Sequence, residues 1–261
     1  MARLFIFGLG YTAGRIAQAL RGAGWLVDAT GSSGNISFDD EDAVRGAIAG
    51  ASHILSSVPP ADGSDPVIDK YGELLGGKWL GYLSSTGVYG DVDGAWVDEA
   101  SPTGGGRRTA RADCDARWME MDARGFRLPG IYGPGRSAFD RVREGKAHRI
   151  DLPGQVFSRV HVDDIVSGVV AAIEGGAPSG AYNLSDDLPT SQNTVIEEAC
   201  RLLGVDPPPL KTIDEADLSP MARGFYAENR RVANIKAKRV LGWEPAYSTY
   251  REGLAAIMAP A

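Results

Sequence analysis

The sequence predicts an α/β fold, a doubly wound parallel sheet with a small C-terminal lobe, and three observations carry that reading. Short apolar runs and helix-period segments of roughly ten residues alternate through the first half of the chain. A glycine turn joins the first run to the first helix. The second half keeps helix signals but loses the regular alternation, as expected of a lobe added to a sheet.

Arg3 to Phe7 reads as a buried strand. Gly8-Leu9-Gly10-Tyr11-Thr12-Ala13 then fits G-x-G-x-x-A, and Ala13, Ile16, Ala17 and Leu20 recur at helical spacing before Gly22-Ala23-Gly24 stops the helix. This layout is the first unit of a dinucleotide-binding Rossmann sheet. Gly8 makes the tight turn, Gly10 lets backbone approach a pyrophosphate, and the small Ala13 lets the helix pack close. The helix N-terminus offers free N–H groups and a positive dipole end to phosphates. Trp25 to Thr30 reads as a second strand with Gly31-Ser32-Ser33-Gly34 as its exit loop, and Ile36 to Phe38 as a short third. Asp39, Asp40, Glu41 and Asp42 suit the start of a helix running to Gly50. His53 to Val58 is a fourth strand stopped by Pro59-Pro60, Asp65 to Leu75 is helical, and Trp79 to Ser84 is a fifth strand. A polar loop over 93–109 precedes a helix from Ala110 to Arg124 and a sixth strand from Phe126 to Ile131.

Beyond these, Asp163-Asp164 caps an apolar helix from Ile165 to Ile173, with Asp163 read first as a cap, and Ala181 to Leu184 is strand-like. Asn193 to Leu203 is a helix ended by Gly204, and Pro207-Pro208-Pro209 a stiff connector. Asn234 caps a helix reaching Leu241, with Gly242 as its stop, and Thr249-Tyr250-Arg251-Glu252 fits a capping box. The expected division is a Rossmann domain of residues 1–135 and 159–186, with a discontinuous lobe of residues 136–158 and 187–261.

Bulk composition narrows the function classes. The 261 residues carry a net charge of -7 and include no Lys/Arg block, which argues against a nucleic-acid partner. Cys114 and Cys200 stand alone, so reduced thiols in a cytoplasmic protein are expected. No apolar run is long enough to span a membrane, no signal peptide precedes the first strand, and three scattered histidines suggest no metal site.

Five further segments follow one another in order: Leu83-Ser84-Ser85-Thr86-Gly87-Val88-Tyr89-Gly90, Arg127-Leu128-Pro129-Gly130-Ile131-Tyr132-Gly133-Pro134, Val160-His161-Val162-Asp163-Asp164-Ile165, Ala181-Tyr182-Asn183-Leu184 and Leu241-Gly242-Trp243-Glu244-Pro245. With the glycine turn, they make a chain that resembles the extended short-chain dehydrogenase/reductases, the NAD-dependent epimerase/dehydratase group, over nearly its whole length. The resemblance implies a Ser/Thr, a Tyr and a Lys four residues after it as the chemical groups. The i, i+4 spacing puts the ammonium beside the phenol, lowering its pKa for proton exchange. Ser85 matches the family's serine. The pair itself is missing, since there is no Tyr between Tyr89 and Tyr132 and no Lys between Lys78 and Lys146. Ala110 and Cys114 fall where it belongs, with Arg107, Arg108 and Arg111 nearby. The chain therefore resembles the atypical branch of the family, which keeps the fold and the cofactor turn without the standard active site.

Without its partners, Ser85 either hydrogen-bonds a ligand carbonyl or simply ends the fifth strand. An arginine can grip an anion but cannot exchange protons at neutral pH, which makes Arg111 and Arg136 candidate substrate contacts. Tyr132 sits at a strand's carboxyl end, where doubly wound folds keep their ligands. Packing beneath the lobe is preferred there to a role as replacement proton donor. Cys114 reads as a buried inert thiol and His161 as a linker residue; Arg230 and Arg231 read as a solvated pair on the lobe or as substrate contacts.

The expected cofactor is NADP or NAD. Gly8, Leu9, Gly10, Tyr11, Thr12 and Ala13 form its turn, and Ser32 and Ser33 lie at the ribose end. Ser57, Val58, Pro59, Ser84 and Pro129 flank the ribose and nicotinamide. Asp28 lies about 20 residues past the turn but inside its strand, and the small Ser32 and Ser33 leave room for a 2′-phosphate, a slight lean to NADP. Two function classes follow. One is an oxidoreductase or epimerase acting on a carbonyl or alcohol of a small, anionic or nucleotide-linked substrate. The other is a non-catalytic NAD(P)-binding redox sensor or regulatory partner; a homodimer is open in either.

Overall fold

The computed structural model describes residues 1–106 and 109–259. Its strands are β1 (Arg3–Phe7), β2 (Leu26–Ala29), β3 (His53–Ser56), β4 (Trp79–Ser85), β5 (Trp96–Val97), β6 (Arg124–Leu128), β7 (Gly130–Tyr132), β8 (Arg149–Ile150), β9 (Arg159–His161), β10 (Gly180–Asn183), β11 (Leu210–Lys211) and β12 (Arg231–Val232). Its helices are α1 (Tyr11–Gly22), α2 (Glu41–Gly50), α3 (Pro66–Tyr71), α4 (Thr109–Glu120), α5 (Ala138–Arg143), α6 (Val162–Glu174), α7 (Gln192–Leu203), α8 (Pro220–Tyr226), α9 (Ile235–Leu241) and α10 (Tyr250–Met258).

Six strands form one parallel sheet in the order β10-β6-β4-β3-β1-β2. The two-residue period of β1 divides the core. Leu4 and Ile6 face one layer with Ile16 and Leu20 of α1 and Ile165 and Val169 of α6. Phe5 and Phe7 face the other, with Val44 and Ile48 of α2, Val67 of α3 and Trp118 of α4. Each such side chain, fully removed from water, contributes about 1.5–3 kcal/mol, so this central strand anchors both layers. A separate apolar cluster joins Phe139 of α5, Val195 and Ile196 of α7, and Tyr250 and Leu254 of α10, and closes over the carboxyl ends of the strands.

Five local expectations give way. Residues 36–38 form no strand. Ile36 makes one ladder-like bond, N–H to Ala29 O at 3.1 Å, and Phe38 instead packs edge-on against Phe7 and Tyr71, covering the rim of the aromatic layer. Helix α4 stops at Glu120, because Asp122 takes a left-handed φ of 58° and turns the chain into β6 at Arg124. The long sixth strand is two strands. Pro129 has no N–H for a ladder, and beyond it β7 leaves the sheet to pair with β9. The cap of α6 is His161, whose Nδ1 accepts the Asp163 N–H at 3.3 Å; Asp164 is spent elsewhere, accepting from the N–H groups of Ala246 and Tyr247. Asn234 occupies the N-cap position of α9 without capping it, because its amide donates to Ser185 O and Asp187 Oδ1. The Thr249/Glu252 capping box and the left-handed stops at Gly204 and Gly242 form as read.

Candidate functional site

The glycine turn is built as its spacing requires. Gly8 has φ +86°, and a Cβ there would stand 3.1 Å from both Ser57 Oγ and Val58 Cγ2. Its N–H donates to Thr30 Oγ1 at 3.1 Å, while the Leu9 N–H donates to Thr30 O at 2.7 Å, so the residue that follows β2 holds the turn's shape. Gly31 lies so close beneath that a Cβ would meet Leu9 N at 2.8 Å. Gly10 differs, because a Cβ there would meet nothing within 4 Å. It is the N-cap of α1 and has no side chain to occupy the helix's first N–H groups. Open space above Gly10, at a helix start free of side-chain caps, fits a dinucleotide's pyrophosphate.

A cavity of about 1000 Å³ opens from this turn across the carboxyl ends of the strands. It gathers Gly10, Tyr11, Thr12, Ala13, Ser57, Ser84, Ser85, Pro129, Arg111, Tyr132 and Arg136 onto one wall system. Gly8 and Leu9 shape the turn from behind. Val58 packs into the aromatic layer, Pro59 is exposed, and Ser32 and Ser33 are exposed in the loop after β2; none of these lines the cavity. Asp28 is tied down by Asn35, whose Nδ2 donates to it at 2.9 Å.

On α4, Cys114 turns into the apolar layer, and burial pushes its thiol up to about 11, so it is inert at neutral pH. Arg111 faces the cavity and donates through Nη1 to Tyr82 Oη at 2.7 Å. Arg107 and Arg108 lie outside the described residues. Ser85 ends β4 and also lines the cavity; its Oγ accepts the Gly87 N–H at 3.1 Å and donates to no other group among the described residues.

Behind the cavity floor lies a buried polar chain that the sequence reading missed. Ser84 Oγ donates to Asp115 Oδ1, and Arg127 grips the same carboxylate, its Nη2 donating to Oδ2 at 2.7 Å. Arg127 Nη1 then donates to Tyr89 Oη at 3.0 Å, and Tyr89 donates to Asn183 Oδ1 at 2.8 Å. The signal was present: Arg127 sits between Phe126 and Leu128 in a strand, and Asp115 lies one turn along α4 from Arg111. Burial raises the phenols of Tyr82, Tyr89 and Tyr132 above their ordinary range despite the arginines beside the first two. Tyr132 Oη is buried against Gly253 of α10 with no hydrogen-bond partner among the described residues, and its ring stands edge-on to His161. Burial depresses the pKa of His161, which keeps the ring neutral. Arg230 and Arg231 are half-buried and held by the protein itself, and Arg230 also lines the cavity. Arg230 Nη1 donates to Gly90 O at 2.6 Å and pairs with Glu228; Arg231 donates to Gly94 O. Together they tie β12 to the loop before β5.

No family model matches the chain. It is 32% identical over 172 residues to a Streptomyces protein named 3-diazoavenalumate denitrifying reductase, a match that spans about half of that relative's length (55%) and 61% of this chain. It is 26% identical to the Escherichia coli protein YeeZ across 90% of this chain and 94% of that one. Among solved structures, a functionally unknown conserved protein from Silicibacter pomeroyi is 38% identical with a TM-score of 0.88, covering 98% of both chains. At 16% identity, dTDP-glucose 4,6-dehydratase from Bacillus anthracis, in complex with NAD, shares the fold with a TM-score of 0.77 over 97% of this chain and 94% of that one. The human epimerase family protein SDR39U1, with NADPH, does so at 15% identity and 0.75, over 98% of each. The architecture is thus that of the NAD-dependent epimerase/dehydratases.

Proposed function

The chain belongs to the same family as the Silicibacter pomeroyi protein, and from that premise we propose that it is an NAD(P)-binding oxidoreductase or epimerase-like protein acting on a small anionic carbonyl or alcohol. The observation that carries this reading is one cavity joining the open turn at Gly10 to Ser84, Ser85 and the guanidinium of Arg111. A nicotinamide cofactor, when bound, would exchange a hydride with the substrate carbon. Tyr11, Thr12 and Ala13 would hold its phosphates through the start of α1. Ser85 Oγ would donate a hydrogen bond to the reacting oxygen, and Arg111 would hold an anionic group of the substrate in place. Asp115 and Arg127 would position Ser84 behind them. The exposed Ser32 and Ser33, with Asp28 held by Asn35, favour NADP slightly over NAD. The buried thiols suit a reducing, cytoplasmic setting. The reductase name of the Streptomyces relative supports redox chemistry over epimerisation.

A second reading, a non-catalytic NAD(P) sensor or regulatory partner, draws on the same cavity. Ala110 and the inert Cys114 stand where the family resemblance implies Tyr and Lys, and the nearby phenols are raised rather than lowered. A panel of aldehydes, ketones, aryl carboxylates and nucleotide sugars, followed at the nicotinamide absorbance band, separates the two. The enzyme reading expects turnover of at least one anionic carbonyl compound, reduced by Ser85→Ala. Tight cofactor binding without turnover across the panel favours the sensor.

A further inference from the structure

Tyr11, the first residue of α1, has two guanidinium groups near its ring. Arg15 Cζ is 5.1 Å and Arg136 Cζ 5.8 Å from the ring centroid. The two cations differ in what else they meet. Arg15 pairs with Asp163 at 3.4 Å, whereas Arg136 has no ion pair among the described residues, is exposed, and lines the cavity beside Gly10, Thr12 and Ala13.

The turn that carries Arg136 is bolted to the glycine turn. Gly133 and Arg136 exchange backbone hydrogen bonds of 3.1 and 3.0 Å around Gly135, whose φ is +74°. Tyr11 Oη donates to Pro134 O at 3.0 Å, and Gly133 sits so near Tyr11 Oη and Val162 that a side chain there would collide with both. A planar fork of donors, unpaired and held on a short turn beside the start of α1, matches a phosphate group. The sequence reading offers Arg136 as an anion contact of the substrate; its place beside the Tyr11 ring also puts it next to the cofactor turn. Resting on the dinucleotide reading above, we propose that Arg136 is a clamp for the cofactor's pyrophosphate, acting with the N–H groups of α1 and backed by the Tyr11 ring.

Calorimetric titration with ADP-ribose, which carries the pyrophosphate without the nicotinamide, tests this in the whole protein. Arg136→Ala is expected to weaken binding by about ten-fold or more and to flatten its salt dependence, as loss of one charge-assisted bidentate contact should. Arg136→Lys, which keeps the charge without the fork, should fall between. Arg15→Ala, which removes a cation already paired with Asp163, should change affinity about two-fold at most, within the range of an exposed ion pair. Thermal melts of the unliganded variants report whether the fold is kept. Arg136→Ala binding ADP-ribose as the wild type does, or Arg15→Ala matching its loss, overturns the clamp alone. Failure of the wild type to bind ADP-ribose at millimolar concentration overturns the dinucleotide reading and the clamp with it.

Discussion

Asp115 is 1% exposed and meets the Arg127 guanidinium and the Ser84 hydroxyl in a space sealed from water. Removing one member of such a pair strands the other's charge. Asp115→Ala should therefore cost about 3–5 kcal/mol in chemical denaturation, while Asp115→Leu combined with Arg127→Met should cost far less than the summed single changes. Additive losses in that double-mutant cycle would contradict the pair. This is also the scale at which the sequence was least legible. Arg111 could be picked from its residue type and helix position, and the inertness of Cys114 from the lack of any neighbour that would activate it. Nothing local marks Asp115, because its partners lie 12 and 31 residues away. Arg230 and Arg231 likewise resembled surface cations until β12 was seen to pair with β5.

At the scale of elements, the opening strand, turn and helix could be read almost residue for residue, because glycine requirements and hydrophobic period agree there. The two glycines of the turn make separable demands. Gly8 needs its left-handed φ and has two side chains at 3.1 Å from any added Cβ, so Gly8→Ala should lose about 1–2 kcal/mol of stability. Gly10 has ordinary backbone angles and open space above it, so Gly10→Ala should melt like the wild type yet bind cofactor far more weakly. A Gly10→Ala variant with unchanged cofactor affinity would mean that no ligand backbone approaches there. Where element boundaries went astray, the cause was local competition. Phe38 found more to bury against Tyr71 than a ladder could offer residues 36–38, and Asp122 stopped α4 in a conformation that glycine more often supplies. The caps of α6 and α9 went to other residues or to none, because Asp164 and Asn234 were drawn into contacts distant in sequence.

Across the whole molecule, alternation of strands and helices was enough to give the sheet, since each β-α unit buries its own faces and the crossovers set the order. What alternation could not give was the seam between the sheet's carboxyl edge and the apolar cluster of α5, α7 and α10, where Tyr132, Arg159 and Asp186 are buried together. Burial lifts the Asp186 carboxyl from 3.8 to about 7, against the attraction of Arg159 and of the backbone N–H groups of Leu188 and Arg159, and with repulsion from Asp187. Because folding favours the protonated acid, its stabilising contribution is full below pH 3.8 and is lost as pH rises through about 7. Asp186→Asn should remove that loss. Between about pH 5 and pH 8 the wild type should lose at least about 1 kcal/mol more than the variant, roughly 2–4 °C in melting temperature. Equal pH slopes would contradict it. Every functional role proposed above requires that the cleft above Gly10 hold a nicotinamide dinucleotide. Titration of the protein with NADPH and with NADH, followed by the fluorescence of the reduced nicotinamide, tests it most directly. A saturable rise and blue shift, reversed by ADP-ribose, is the expected result; no change with either cofactor at millimolar concentration would contradict it.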